Sequence, residues 1–198
     1  MYKIVTISRE YGSGGRYVGR LLSEKLGIPF YDKELIDMLA EKSNYSAEYI
    51  KENEDSRTSS FLYNLSTEGV LLNSPYSAMS PGDKLFLLQN NLIKEIAEKG
   101  PCIIIGRCAD YILRDRDDVL NVFITCDIDG RIERCIKYYG IDEKEAAKML
   151  KKKDRARASK YNYYAGKEWG VAKNYDVTLN SGSFGVEKCA EMIAKLYK

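Results

Sequence analysis

Apolar positions along the chain follow two rhythms, and the changes between them divide it into elements. Lys3 to Ile7 is a short β-branched run that reads as a buried strand. Val18, Leu21, Leu22 and Leu26 then recur at helical spacing until Gly27 closes the helix, with the cluster Gly12, Ser13, Gly14, Gly15 between strand and helix. "IPFYD" is a second strand ending at Asp32, and Lys33 to Lys42 is a helix with Leu35, Ile36 and Leu39 on one face. Ser46 caps a short helix through Ile50. From Glu54 to Gly82 the periodicity dissolves into Ser, Thr, Asn, Pro and Gly with apolar islands, the composition of an insert or lid-like element.

Past that stretch, Asp83 caps a helix carrying Leu85, Leu88, Leu92, Ile93 and Ile96, which Gly100-Pro101 stops. "CIII" at 102–105 and "VLNVFIT" at 119–125 are continuous apolar runs suited to strands buried on both faces. A helix from Asp129 turns Ile132, Cys135, Ile136 and Tyr139 inward and ends at Gly140, and Asp142 with Glu145 resembles a capping box for the next helix. A polar stretch rich in Lys, Arg and Tyr, from Lys151 to Asn174, separates that helix from the last strand, "YDVTLN". An amphipathic helix with Val186, Cys189, Ala190, Ile193 and Leu196 inward follows it. Strands alternating with helices predict an α/β fold, a mainly parallel sheet covered on both faces, in a single domain over 1–198.

Composition narrows the chemistry more than the fold. A formal net charge of +2 over 198 residues is too small to argue for nucleic acid, so any basic site is local. No run approaches the roughly 20 apolar residues of a spanning helix, and the expectation is a cytoplasmic protein without membrane contact. Cys102, Cys108, Cys126, Cys135 and Cys189 form no CxxC pair and are expected to be reduced and structural. The absence of histidine removes the usual general base near neutral pH, the Ser-His and Cys-His nucleophile pairs and the commonest zinc ligand. No metal-ligating set is nominated. Arg, Lys, Asp and backbone amides remain, and phosphoryl transfer is the reaction class that depends mainly on positioning and charge stabilisation.

The glycine cluster is where such chemistry would sit. Backbone N–H groups at a helix start carry partial positive charge, and a loop without side chains at 12, 14 and 15 wraps a phosphate closely. A plain glycine turn would use the same residues. Placement after the first strand, at the start of the first helix and between Arg9 and Arg16, makes Gly12, Ser13, Gly14, Gly15, Arg16 and Tyr17 the candidate phosphate-binding set.

From here a resemblance becomes specific. "ISREYGSGGRYVGRLLSEKLGIPFYDKELI" resembles the opening of the cytidylate kinase-like proteins, relatives of bacterial cytidylate kinase within the nucleoside monophosphate kinases. It continues through "IIIGRCADYIL" and "DRARASKYNYYAGKEWGVAKNYDVTLNSGSFGVE". The resemblance implies a P-loop NTPase-type, doubly wound fold with a parallel five-stranded sheet, an acceptor-binding insert over about 32–100 and a lid over about 151–174. It also implies ATP and Mg2+ as cofactors, small-molecule nucleotides as partners and CMP or dCMP as acceptor. The loop departs from the general pattern G-x-x-x-x-G-K followed by Ser or Thr. Arg9 falls on the first glycine, Gly14 on the last, Gly15 where lysine belongs, Arg16 next, and Tyr17 at the Ser or Thr. Arg16 is then the nearest replacement cation, its planar fork suited to phosphate oxygens.

Gly106-Arg107 follows the "CIII" run at the carboxyl end of a central strand, where ligands sit in open α/β sheets. By resemblance Arg107 meets the acceptor, with Asp110 standing for the family's aspartate but displaced by Cys108 and Ala109. Asp32, ending the second strand at the same edge, reads equally as an acceptor or magnesium-side carboxylate and as an N-cap. The resemblance gives Arg157 and Arg131 the neutralisation of charge on the moving phosphoryl group, whereas spacing alone reads "KKKDRAR" as a solvated helix face. Tyr161, Tyr163, Tyr164 and Trp169 suit base stacking or packing beneath the lid. Three functional readings fit the sequence: a cytidylate kinase-like phosphotransferase, a nucleotide-binding regulator with little or no transfer activity, and a P-loop kinase with another small-molecule acceptor.

Overall fold

The computed structural model describes residues 1–53 and 79–197. Five strands form one all-parallel sheet: β1 (Ile4–Arg9), β2 (Phe30–Tyr31), β3 (Cys102–Ile105), β4 (Val119–Thr125) and β5 (Val177–Asn180), in spatial order β2-β3-β1-β4-β5. β1 lies at the centre, pairing Ile4–Ile7 with Cys102–Ile105 on one side and Ile4–Arg9 with Val119–Ile124 on the other. Parallel neighbours require a crossover between strands, which the helices supply. These are α1 (Gly15–Leu26), α2 (Glu34–Lys42), α3 (Ala47–Asn53), α4 (Pro81–Lys99), α5 (Ala109–Ile112), α6 (Ile128–Tyr139), α7 (Glu143–Ala165), α8 (Ser181–Phe184) and α9 (Val186–Tyr197).

Strand alternation splits the core into two layers. Ile4, Cys102 and Ile104 pack with Leu35, Leu39, Leu92, Ile93 and Ile96 from α2 and α4. Val5, Ile7, Ile103, Ile105, Val122 and Ile124 pack on the opposite face with Val18, Leu22, Cys189, Ala190 and Ile193 from α1 and α9. All five cysteines are buried and free, as expected of small apolar fillers.

Several boundaries differ from the sequence expectation, each for a local reason. Residues 54–78 of the expected insert lie outside the described residues, and its final residues already belong to α4. Ser80, not Asp83, caps α4: its hydroxyl accepts from the Asp83 N–H at 3.1 Å and donates to Asp83 Oδ2 at 2.7 Å, with Pro81 at the first helical position. Asp127, not Asp129, caps α6 by accepting from the Gly130 N–H at 2.8 Å. Ile136 and Tyr139 of that helix are exposed rather than inward, as is Leu196 of α9. The largest correction concerns 151–174. α7 runs unbroken through Lys151 to Ala165 and stops at Gly166 in the left-handed conformation, so more than half of the expected connecting stretch is helix. Its many charges left no apolar stripe for the pattern to reveal.

Candidate functional site

β1 carries Arg9 to the carboxyl edge of the sheet, and the chain turns through Gly12 and Gly14, both at φ 79, before α1 begins at Gly15. Ser13 is fully buried. Its N–H and hydroxyl both donate back to the Glu10 carbonyl, at 3.3 and 2.9 Å, and its own carbonyl accepts from Ser181 Oγ at 2.5 Å. The Tyr11 N–H donates to Asp154 Oδ1 at 2.7 Å. By contrast, the N–H groups of Gly12, Gly14, Gly15 and Arg16 meet no acceptor among the described residues. They stand at the positive end of α1, the arrangement that binds anions.

These four residues line a cleft of about 480 Å³ together with Arg9, the 106–108 turn and one face of α7. Seven cationic side chains reach it, Arg9, Arg16, Lys33, Arg107, Lys153, Arg157 and Lys160, against the carboxylates of Glu10 and Asp32. Glu10 is committed elsewhere: its Oε2 accepts from Thr125 Oγ1 at 2.6 Å and the Cys126 N–H at 2.9 Å, and Oε1 pairs with Arg131 at 3.3 Å. Asp32 is only 6% exposed, and the arginines gather on it. Arg16 Nε approaches Oδ2 at 2.5 Å with its hydrogen directed elsewhere, an ion pair rather than an aligned hydrogen bond. Arg9 Nη2 stands 3.9 Å from Oδ1, and Arg107 Nη2 donates to the Asp32 carbonyl at 3.0 Å. Asp32 is not a helix cap: Lys33 holds that position without a side-chain bond.

Arg107 is presented by an unusual backbone. Gly106, Arg107 and Cys108 are consecutive left-handed residues, at φ 65, 58 and 56. For the two that carry a Cβ this costs roughly 1–2 kcal/mol each, and Gln89 Nε2 steadies the turn by donating to the Arg107 carbonyl at 2.8 Å. Asp110 does not line the cleft. It is buried beneath α7, where Oδ2 accepts from Tyr161 OH at 2.7 Å, Oδ1 has no hydrogen-bond partner, and burial raises its pKa above the ordinary carboxylate value. Burial likewise pushes the Cys108 thiol up to about 12, which leaves it an inert packing group.

On α7, Arg157 faces the cleft, its Nη1 donating to the Arg9 carbonyl at 3.0 Å and its guanidinium 5.3 Å from the Tyr11 ring centre. Arg131 does not reach the cleft. It is 6% exposed and clamps the loop to α7, with Nε donating to the Tyr11 carbonyl at 2.8 Å and Nη2 paired with Asp154. Tyr17 points away from the cleft and is 54% exposed. Arg16, directly after the lysine's place, has no hydroxyl. Tyr164 packs, stacked 3.6 Å from Phe86 with its OH donating to Asp83 Oδ1 at 3.1 Å, and Trp169 sets its edge against Phe123. Sequence reasoning missed Lys153 and Lys160. Their spacing with Arg157, four and three residues, is one stripe of a helix and would have found them had the helix been recognised.

Comparison with known proteins agrees with this geometry. The model of the cytidylate kinase-like family matches residues 4–183. A cytidylate kinase of Archaeoglobus fulgidus is 26% identical over 196 residues, 96% of this chain and 92% of that protein. A cytidylate kinase of Methanoculleus marisnigri is 30% identical over 101 residues, 50% of this chain and 55% of that protein. An uncharacterized protein of Eubacterium ventriosum superimposes with TM-score 0.71 at 29% identity, over 98% of this chain and 97% of that one. Shikimate kinase of Bacteroides thetaiotaomicron, at 14% identity and TM-score 0.57 over 98% of this chain and 97% of its own, shares the kinase fold. With a match that runs from the first residue of β1 into α8, and a sheet order and glycine loop that accord with it, this chain belongs to the cytidylate kinase-like family.

Proposed function

We propose that this protein is a nucleoside monophosphate kinase-like phosphotransferase that uses ATP to phosphorylate CMP or dCMP. The cleft carries the reading. Four N–H groups at a helix start, the Arg107 turn and the α7 stripe converge on one volume where cations outnumber carboxylates seven to two. Family membership and the names of the archaeal relatives support the same acceptor class.

ATP, when bound, supplies the phosphoryl group to be transferred. The amides of Gly12, Gly14, Gly15 and Arg16 bind phosphate oxygens, and Arg107 orients the acceptor's phosphate. Lys153, Arg157 and Lys160 neutralise the charge in transit, and with Tyr139 and Trp169 they exclude water from it. Arg131 serves as a positioning residue, holding Tyr11 and Asp154 in place. The residues present do not build a cage for magnesium: among the described residues no three His, Cys, Asp or Glu stand close enough to hold a metal, and Arg16 covers Asp32. Magnesium enters only as the ion that accompanies ATP, which suits a cation that keeps most of its waters. The lack of a cleft-facing hydroxyl at position 16 or 17 favours, as a second reading, a nucleotide-binding regulator.

Incubation of the purified chain with ATP, Mg2+ and each of CMP, dCMP, UMP and AMP, followed by anion-exchange chromatography, decides between them. CDP or dCDP is expected. ATP binding with no diphosphate product would establish the regulator, and product from another monophosphate alone would reassign the acceptor.

A further inference from the structure

In the general phosphate-loop pattern a glycine opens the loop and a lysine follows its last glycine. Here the two residue types have changed places, with Arg9 at the opening position and Gly15 where the lysine stands. The structure gives this exchange a steric cause. A Cβ built on Gly15 would lie 2.6 Å from Arg9 Cβ and 3.0 Å from Arg9 Cγ, closer than carbons approach one another. One position or the other carries a side chain, and not both. At its far end the Arg9 guanidinium lies over Gly106, where an added Cβ would overlap Nη1. Two glycines thus form the trough in which Arg9 crosses the floor of the cleft, from the end of β1 to the end of β3.

Arg16 is placed differently. It lies on the first turn of α1, two-fifths exposed and drawn onto Asp32 at 2.5 Å, whereas Arg9 is four-fifths buried and stands 3.9 Å from the same carboxylate. We propose that Arg9, admitted by Gly15 and Gly106, supplies the cation for the terminal phosphates of a bound nucleotide that lysine supplies in the general pattern. The inference rests on the phosphate-binding half of the proposed function and not on the identity of the acceptor.

The test uses five forms of the chain: wild type, Arg9→Met, Gly15→Lys, Arg9→Gly and the exchange Arg9→Gly/Gly15→Lys. Calorimetry measures affinity for ATP and for inorganic tripolyphosphate, and melting temperatures are taken without ligand. Arg9→Met keeps the packing over Gly15 and is expected to weaken both ligands roughly 10- to 100-fold at unchanged melting temperature, the loss of one charge-assisted phosphate contact. Gly15→Lys alone is expected to lower the melting temperature. The exchange form is expected to recover it, and to bind ATP at least tenfold more tightly than Arg9→Gly. Arg9→Met within twofold of wild type for both ligands would overturn the inference, as would an exchange form no better than Arg9→Gly or a wild type that binds neither ligand. A wild type that shows the Arg9 dependence yet transfers no phosphate leaves the inference standing and removes the proposed activity instead.

Discussion

Asp110 shows how far a single residue departs from its reading in isolation. In the sequence it looked like a shifted acceptor contact, but its carboxyl is buried under Tyr161, with desolvation as the main cause of a raised pKa. A raised folded-state pKa means that the stability it contributes is complete below the ordinary carboxylate value. That contribution is lost as pH climbs through the raised value. Wild type is therefore expected to gain melting temperature relative to Asp110→Asn as pH is lowered from 8 to 4, measured by thermal unfolding of both proteins in matched buffers. A constant difference would show that the carboxyl titrates as an exposed one. Residue types were legible in the chain, as Arg9, Arg16, Asp32 and Arg107 were all singled out. Their facing was not, because whether an arginine meets solvent or a cleft is decided by backbone turns such as the left-handed run at 106–108, which no local pattern announces.

Among the elements, α7 was the least legible and does the most to build the site. Its 23 residues span about 34 Å, and three of its side chains hold four partners at once. Asp154 holds the Tyr11 amide and Arg131, Arg157 holds the Arg9 carbonyl, and Tyr161 holds Asp110. Strands β3 and β4 were read to the residue because both of their faces are apolar, whereas a helix that packs through charges gives no such rhythm. Asp154→Ala is expected to cost about 2–3 kcal/mol in urea unfolding, since it strips an acceptor from Tyr11 and a counter-charge from a buried arginine that keeps only Glu10. Asp154→Asn, which retains an acceptor for the amide, is expected to lose less. Equal losses would show that the Tyr11 bond contributes nothing.

For the whole molecule, the charge is distributed very unevenly. A chain of net charge +2 places an excess of five positive charges around the cleft, so the remainder is net negative. A polyanion is steered to one place and repelled from the rest. The association rate for ATP, measured by stopped-flow, is expected to fall on the order of tenfold between 50 and 500 mM salt, while dissociation changes less. Wild type is also expected to gain melting temperature with tripolyphosphate, since a ligand of the native state alone stabilises it. Net charge announced none of this, because opposite signs cancel in a sum that ignores position.

Because residues 9 and 15 compete for one volume, the path between this loop and the lysine-bearing form is not smooth. A single substitution from Arg9 and Gly15 leads either to two side chains in one space or to glycine at both positions and no cation on the floor of the cleft. With Arg9 as the cation for the terminal phosphates, the passable intermediate is a folded loop that has lost that one contact and keeps its amides and the cations of the cleft wall. A selection that samples one codon at a time therefore stays in whichever form it starts from. A library that varies both codons together is the one that crosses.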